Sequence, residues 1–297
     1  MADQAKPLTA APKARPIAPR PSVTRPDIAT FSGLILAIGG IVGGLIMEGG
    51  KLKDITQLTA AIIVLGGTCG AVMVSTPMNI LLGAAHRLVH VFLDKTDPPE
   101  AVINELIGYA ASARRNGLVS LENDAMHIQD YFLRKALNLA VDGTDLQEIR
   151  GMMQLEIELS ETQALAEAKV FESAGGYSPT IGIIGAVLGL IQVMKNLANI
   201  EEVGHGIAVA FVATIYGVGL ANIILLPAAT KIKARIEHET ALKELKLEGV
   251  VAIVEGMNPK LIRSKLQAYQ RDTIKTDDER AEQARKRAVE PLTAAAK

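Results

Sequence analysis

The chain has 297 residues, 49% of them hydrophobic, with a mean hydropathy of +0.24 and a formal net charge of -1. Near-neutral charge excludes the broad basic field of a nucleic-acid-binding protein, so no nucleic-acid partner is expected. A single cysteine, Cys69, excludes a disulfide framework or a cysteine-built metal site within one chain.

The first 27 residues hold six prolines (Pro7, Pro12, Pro16, Pro19, Pro21, Pro26) and the cations Lys6, Lys13, Arg15, Arg20 and Arg25. With almost no large apolar side chains, residues 1–27 read as a disordered cytoplasmic extension. It is not a secretory signal, because the apolar run that follows is too long and ends in no small-residue cleavage site.

The hydrophobic excess is uneven, which points to membrane spans rather than a rich soluble core. Four segments reach the length of about 20 apolar residues that a bilayer crossing takes: 28–47, 55–74, 178–194 and 206–228. Short loops, Glu48 to Asp54 and Lys195 to His205, join them into two hairpins, 28–84 and 178–230. The second span is expected to continue as a helix past Pro77 through Leu81 and Leu82. Aromatic content is 3% with no Trp, so Lys and Arg mark the membrane edges. Arg20, Arg25, Arg87, Lys231, Lys233 and Arg235 lie on one side. Lys51, Lys53 and Lys195 lie on the other, offset by Glu48, Asp54, Glu201 and Glu202. This bias places both termini and the middle region in the cytoplasm.

The middle region, 85–177, shows apolar residues at helical spacing from Ala101 and again from Leu118. Asp97-Pro98-Pro99 and Asp142-Gly143 punctuate it. Thr144 to Gln147 fits a capping box that opens a long helix through Met152, Ile157, Leu165 and Phe171 toward the third span. Little or no sheet is expected. After the fourth span a charged helix leaves the membrane from Lys231, and Asn258-Pro259 starts a short amphipathic helix within 231–270. Residues 271–297 are polar, charge-mixed and read as a frayed tail.

Glycines recur four apart at Gly39/Gly43, Gly40/Gly44, Gly66/Gly70 and Gly185/Gly189. Such spacing lets helices approach closely in lipid, either within one chain or against neighbouring subunits. Thr214 lies near the middle of the fourth span, followed by Tyr216 and Asn222. Its hydroxyl either bonds its own helix or lines a wet path for an ion. Pro179 and Pro227 sit at the cytoplasmic ends of the third and fourth spans. Pro179 is expected in a first helical turn, and Pro227 introduces a kink that is a fixed shape or a hinge. Arg114-Arg115-Asn-Gly-Leu-Val-Ser-Leu-Glu122 crosses a helix break at Gly117, as a solvated surface or as a docking surface for a charged partner. Gly50-Lys51 lacks the first glycine and the hydroxyl residue of a phosphate-binding loop. No nucleophile elbow or metal spacing appears, so no enzyme activity, metal or resident cofactor is expected. His205 reads as a solvated loop residue. None of the four spans contains Asp or Glu, as if an ion pathway had its carboxylate on another chain.

These segments resemble MotA-type flagellar motor stator subunits, within the MotA/TolQ/ExbB proton-channel group. The resemblance rests on Pro179-Thr-Ile-Gly-Ile-Ile-Gly-Ala-Val-Leu-Gly-Leu190 and on Gly206-Ile-Ala-Val-Ala-Phe-Val-Ala-Thr-Ile-Tyr-Gly217 with Ala221-Asn222 and Pro227. Arg114-Arg115-x-Gly-x-x-x-Leu-Glu122 and Gly256-Met-Asn-Pro259 add to it. It covers about residues 28–270 and excludes the proline-rich extension. It implies an all-α integral membrane protein with four transmembrane helices in two hairpins and a large helical cytoplasmic region, in the bacterial inner membrane. It further implies a homopentamer around a dimer of a MotB-type single-span subunit that carries the membrane aspartate. Thr214, Ala186 and Tyr216 would line the ion pathway, Pro179 and Pro227 would couple it to movement, and Arg114, Arg115 and Glu122 would face the rotor protein FliG. Sodium-driven relatives tend to carry threonine where Ala186 stands, so the implied ion is the proton. The other readings are an ExbB- or TolQ-type energiser of envelope transport, which would lack the first hairpin, and a non-conducting membrane scaffold.

Overall fold

A computed structural model describes residues 25–91, 93–94 and 98–268; the proline-rich extension before Arg25 and the tail from residue 269 lie outside them. The architecture is helical. The only strand pairing among the described residues is a two-residue antiparallel ladder, β1 (Arg25–Pro26) with β2 (Leu93–Asp94). Among the described residues, four helices are long and apolar enough to cross a membrane. The protein is therefore an all-α, multi-pass membrane protein.

Helix α1 (Ile28–Met47) opens on Asp27, whose carboxylate accepts from the Thr30 N–H at 3.2 Å. The second span begins as a 3-10 turn, Leu52–Ile55, then runs as α2 (Leu58–Ala61), a π turn (Ile62–Gly66) and α3 (Gly67–Ser75). It does not continue through Pro77. Thr76 is extended, as the residue before a proline prefers. A separate helix, α4 (Met78–Val91), starts beyond it. Then follow α5 (Pro99–Asn116), a 3-10 turn at Leu118–Ser120, α6 (Leu121–Ala125) and α7 (Tyr131–Val141).

Helix α8 (Leu146–Lys195) is 50 residues long and carries the third span in its last part. Its start differs from the expected capping box. Asp145, not Thr144, accepts from the Gln147 N–H at 2.8 Å. Asp145 stands directly before the first helical residue, the N-cap position whose side chain meets the first orphan donors. Helix α9 (Ile200–Gly219) passes through a π turn (Leu220–Leu225) into α10 (Leu226–Val254), one continuous 55-residue run. His205 therefore belongs to a helix rather than a loop. Asn199 caps that helix and Glu201 and Glu202 fill its first turn, where carboxylates suit the helix dipole. Gly256 (φ +70) ends α10: its N–H meets the Ile253 carbonyl and that of Met257 the Ala252 carbonyl, closing a left-handed stop. Asn258 then caps a last helix, α11 (259–268), with Pro259 at its first position.

Packing divides the chain into two units. Among the described residues, one, the membrane unit, holds 25–94 apart from residue 92 and 158–240; the other, the bundle unit, holds 98–157 and 241–268. Their boundaries differ from the hydropathy boundaries near 85, 178 and 231, because the helices run on past their apolar windows. In the bundle unit, Leu106, Leu121, Leu133, Leu137, Met153, Val250, Ile262 and Leu266 form one core. Each such side chain contributes about 1.5–3 kcal/mol by leaving water. In the membrane unit the buried set is smaller, while Ile35, Leu36, Ile183, Ile184 and Phe211 lie exposed. An apolar exterior on that scale suits lipid or protein neighbours rather than water.

Candidate functional site: the second hairpin and the charged turn

The third and fourth spans pack along a glycine seam. A Cβ on Gly182 would sit 2.9 Å from the Ala213 carbonyl, one on Gly189 2.7 Å from that of Gly206, and one on Gly217 2.7 Å from that of Ser178. Backbones that close leave no room for a side chain. Of the four-spaced pairs, Gly185/Gly189 takes part in this seam. Gly39, Gly40, Gly43, Gly44, Gly66 and Gly70 meet nothing within 4 Å. Gly182 and Gly217 were missed in the sequence, because they pair across the hairpin rather than along one helix.

Beside the seam, the Ser178 hydroxyl is fully buried and donates to the Gly217 carbonyl at 2.9 Å. Thr214 is half-buried, with its Cα in the seam opposite Gly182. Its hydroxyl donates to the Ala210 carbonyl at 3.1 Å, the intrahelical bond usual for a membrane threonine. Ala186 is half-buried on α8. Tyr216 donates to the Ile55 carbonyl at 2.7 Å and accepts from the Gln57 N–H at 3.3 Å. It thus ties the start of the second span to the fourth, a tether that spacing alone could not reveal. Ala60 and Val64 pack against Val212 and Ala213, and Tyr216 and Leu220 lie against the same cluster.

The prolines differ in setting. Pro179 lies inside α8 rather than in a first turn, because the helix begins far upstream. A proline there removes the bond its N–H would give the Gly175 carbonyl. Pro227 is exposed and follows the π turn, where the Leu226 N–H reaches back five residues to Ala221. The widened turn absorbs the proline's steric demand. One turn before Pro179, Gly175 packs against Leu226, the residue preceding Pro227, whose Cδ2 would lie 2.5 Å from any added Cβ. Both irregularities thus meet at one helix contact.

Farther along the membrane unit, Arg87 pairs with Glu167, a carboxylate only 6% exposed, and reaches Glu239 at 3.8 Å. Lys231 bonds Asp27 and Thr30, and Arg235 lies 3.7 Å from Asp27. These ion pairs join residues far apart in sequence and carry no local signal.

In the bundle unit, Arg114 and Arg115 fill the last turn of α5 and Glu122 the first turn of α6. Gly117 (φ +83) turns the chain between them, and all three side chains are exposed. Arg115 donates to the Ala111 carbonyl at 3.2 Å. Cations at a helix C-terminus and a carboxylate at an N-terminus both follow the dipoles. The same unit holds four further ion pairs among its described residues. Lys246, 6% exposed, pairs with Asp130, which also caps α7. A bond to Glu156 raises the Lys135 pKa against the opposing effect of burial. Glu248 meets Arg150 at 2.6 Å and Lys265 at 2.9 Å. Burial opposes its ionisation, but the two cations outweigh that and hold its carboxyl below the usual range.

Family models for the MotA/TolQ/ExbB proton channel family and for the Motility protein A N-terminal region match residues 124–245 and 31–112. Motility protein A of Bacillus subtilis is 34% identical over 247 residues, covering 82% of this chain and 90% of that protein. The chain belongs to the MotA/TolQ/ExbB proton channel family. Within it, this is a MotA-type chain, the N-terminal match covering the first hairpin. Chemotaxis protein PomA of Vibrio alginolyticus is 32% identical over 243 residues, covering 82% of this chain and 95% of its own length. The structure of C. jejuni MotAB superposes with a TM-score of 0.78 at 32% identity, over 82% of this chain and 95% of that one. The flagellar MotAB stator complex of Bacillus subtilis gives 0.75 at 34%, over 81% and 95%.

Proposed function

We propose that this MotA-type chain is a flagellar motor stator subunit that houses an ion pathway completed by the membrane aspartate of a MotB-type partner. The carrying observation is the absence of Asp and Glu from 178–194 and 206–230, in a hairpin that still holds Ser178, Thr214 and Tyr216. Solved relatives are MotAB complexes, which supports a second subunit as the source of the carboxylate. The chain assembles as a homopentamer in the bacterial inner membrane, with both termini cytoplasmic. Ion arrival neutralises the partner carboxylate and lowers the cost of its facing apolar surface. The pentamer then steps against the partner, with Pro179, Pro227 and the π turn as the deformable places. Arg114, Arg115 and Glu122 pass torque to FliG through exposed, salt-screened charge.

The ion is the proton, the reading favoured by Ala186. Swimming of cells that depend on this chain should stop when the proton gradient is collapsed and persist without sodium. Rotation that follows the sodium gradient alone would overturn proton coupling. The first hairpin matched by the Motility protein A model supports a motor subunit over an ExbB- or TolQ-type energiser.

A further inference from the structure

The second span changes partner part-way along its length. Ala60 and Val64, in its first half, pack with Val212, Ala213, Tyr216 and Leu220 of the fourth span. Beyond the π turn at Ile62–Gly66, Gly67 lies against Ile181 of α8, where an added Cβ would meet Cγ2 at 2.7 Å. Val72 then joins the cluster that holds Phe171 and Ala174 of α8. The second span is thus a strap, with one end on the fourth span and the other on α8. At the first of these ends its backbone is irregular: Ile55 closes a 3-10 turn and Gln57 stands just before α2. Backbone groups at such a break need partners from elsewhere. The Tyr216 hydroxyl serves two of them, donating to the Ile55 carbonyl at 2.7 Å and accepting from the Gln57 N–H at 3.3 Å. One hydroxyl can do both, having a donor and two lone pairs. Phenylalanine would fill the same space and satisfy neither group.

Residues two apart on a helix point about 200° apart, at about 100° each. Val212, Ala213, Tyr216 and Leu220 make the face of the fourth span that meets the strap, so Thr214 lies almost opposite it. Resting on the reading of the second hairpin as an ion pathway, we propose that Tyr216 is a positioning residue for Thr214. By fixing the fourth span to the second, its hydroxyl sets the rotation of the fourth span about its own axis, and so the direction in which Thr214 faces. This role differs from lining the pathway, because both bonds of the hydroxyl go to the backbone of the second span. Ring packing alone would not fix the angle: apolar contact is non-directional, whereas hydrogen bonds weaken steeply when misaligned. The strap's seat on α8 gives the tether its fixed reference.

The test is Tyr216→Phe in the complex of the full chain with its MotB-type partner, reconstituted in liposomes. Proton flux is measured against external proton concentration. Maximal flux should fall roughly fivefold while the half-saturating proton concentration stays the same, since the proton is bound by the partner's carboxylate and not by Tyr216. Assembly of the complex should be unchanged, because the ring keeps its contacts with Ala60 and Val64. In a Thr214→Val background, adding Tyr216→Phe should cost no further flux, because the hydroxyl acts through Thr214. Unchanged maximal flux would overturn the proposal. A shifted half-saturation at full maximal flux would also overturn it, returning the hydroxyl to the pathway wall. So would additive losses in the double variant, or a loss of flux matched by a loss of assembled complex. An unaltered complex that carries no flux would sink the ion-pathway reading itself, and this role with it.

Discussion

At the scale of single residues, the ion pairs of the bundle unit give the clearest expectations. Asp130 both caps α7 and neutralises Lys246. Breaking a buried pair leaves a charge without compensation, so Asp130→Ala should cost about 3–5 kcal/mol. Adding Lys246→Met should recover much of that, read by denaturant unfolding of the detergent-solubilised chain. The Glu248 carboxyl, lowered in the fold, contributes stability that is complete above its unfolded pKa. That contribution is lost as the pH falls through the lower, folded pKa. Glu248→Gln should therefore lower the thermal midpoint at pH 7, with the difference from the unaltered chain shrinking toward pH 3. A pH-independent difference would mean that Arg150 and Lys265 do not act through charge. For the rotor side, Arg114→Glu and Glu122→Lys should reduce torque in bead assays while leaving membrane assembly intact, because both side chains are exposed.

At the scale of elements, the spans divide into a closed seam and an open face. Gly217→Ala would press a methyl against the Ser178 carbonyl, and overpacking of this kind costs about 1–3 kcal/mol. Gly40→Ala meets nothing in the chain and should leave its thermal stability equal or slightly raised, since alanine favours helix by about 1 kcal/mol. If Gly40→Ala nevertheless disrupts the oligomer in blue-native electrophoresis, the α1 glycines pack against neighbouring subunits. The long helices, the α1 boundaries and the Asn258-Pro259 start were legible in sequence, because apolar runs and caps are local signals. The break before Pro77, the internal position of Pro179 and both π turns were not. Helix continuity across a proline depends on what packs beside it, and here that includes the contact of Gly175 with Leu226. Thr214 and Tyr216 were legible as polar groups in an apolar span. The tether from Tyr216 to Ile55 was not, since a contact across 161 positions leaves no periodic trace.

At the scale of the whole molecule, a chain with four apolar spans and no membrane carboxylate has a use for a partner. Its extensive apolar exterior, with no fully buried residue in α1, leaves room for subunits and lipid around it. In the proposed function the charged turn at Arg114–Glu122 is the output surface, which would put input and output on different units of one chain. The division of labour is tested most directly by proton flux into liposomes holding this chain alone, with its MotB-type partner, or with that partner's membrane Asp changed to Asn. Flux is expected only with the unaltered partner. Equal flux from the chain alone, or from the Asn variant, would contradict a pathway completed by the partner's carboxylate.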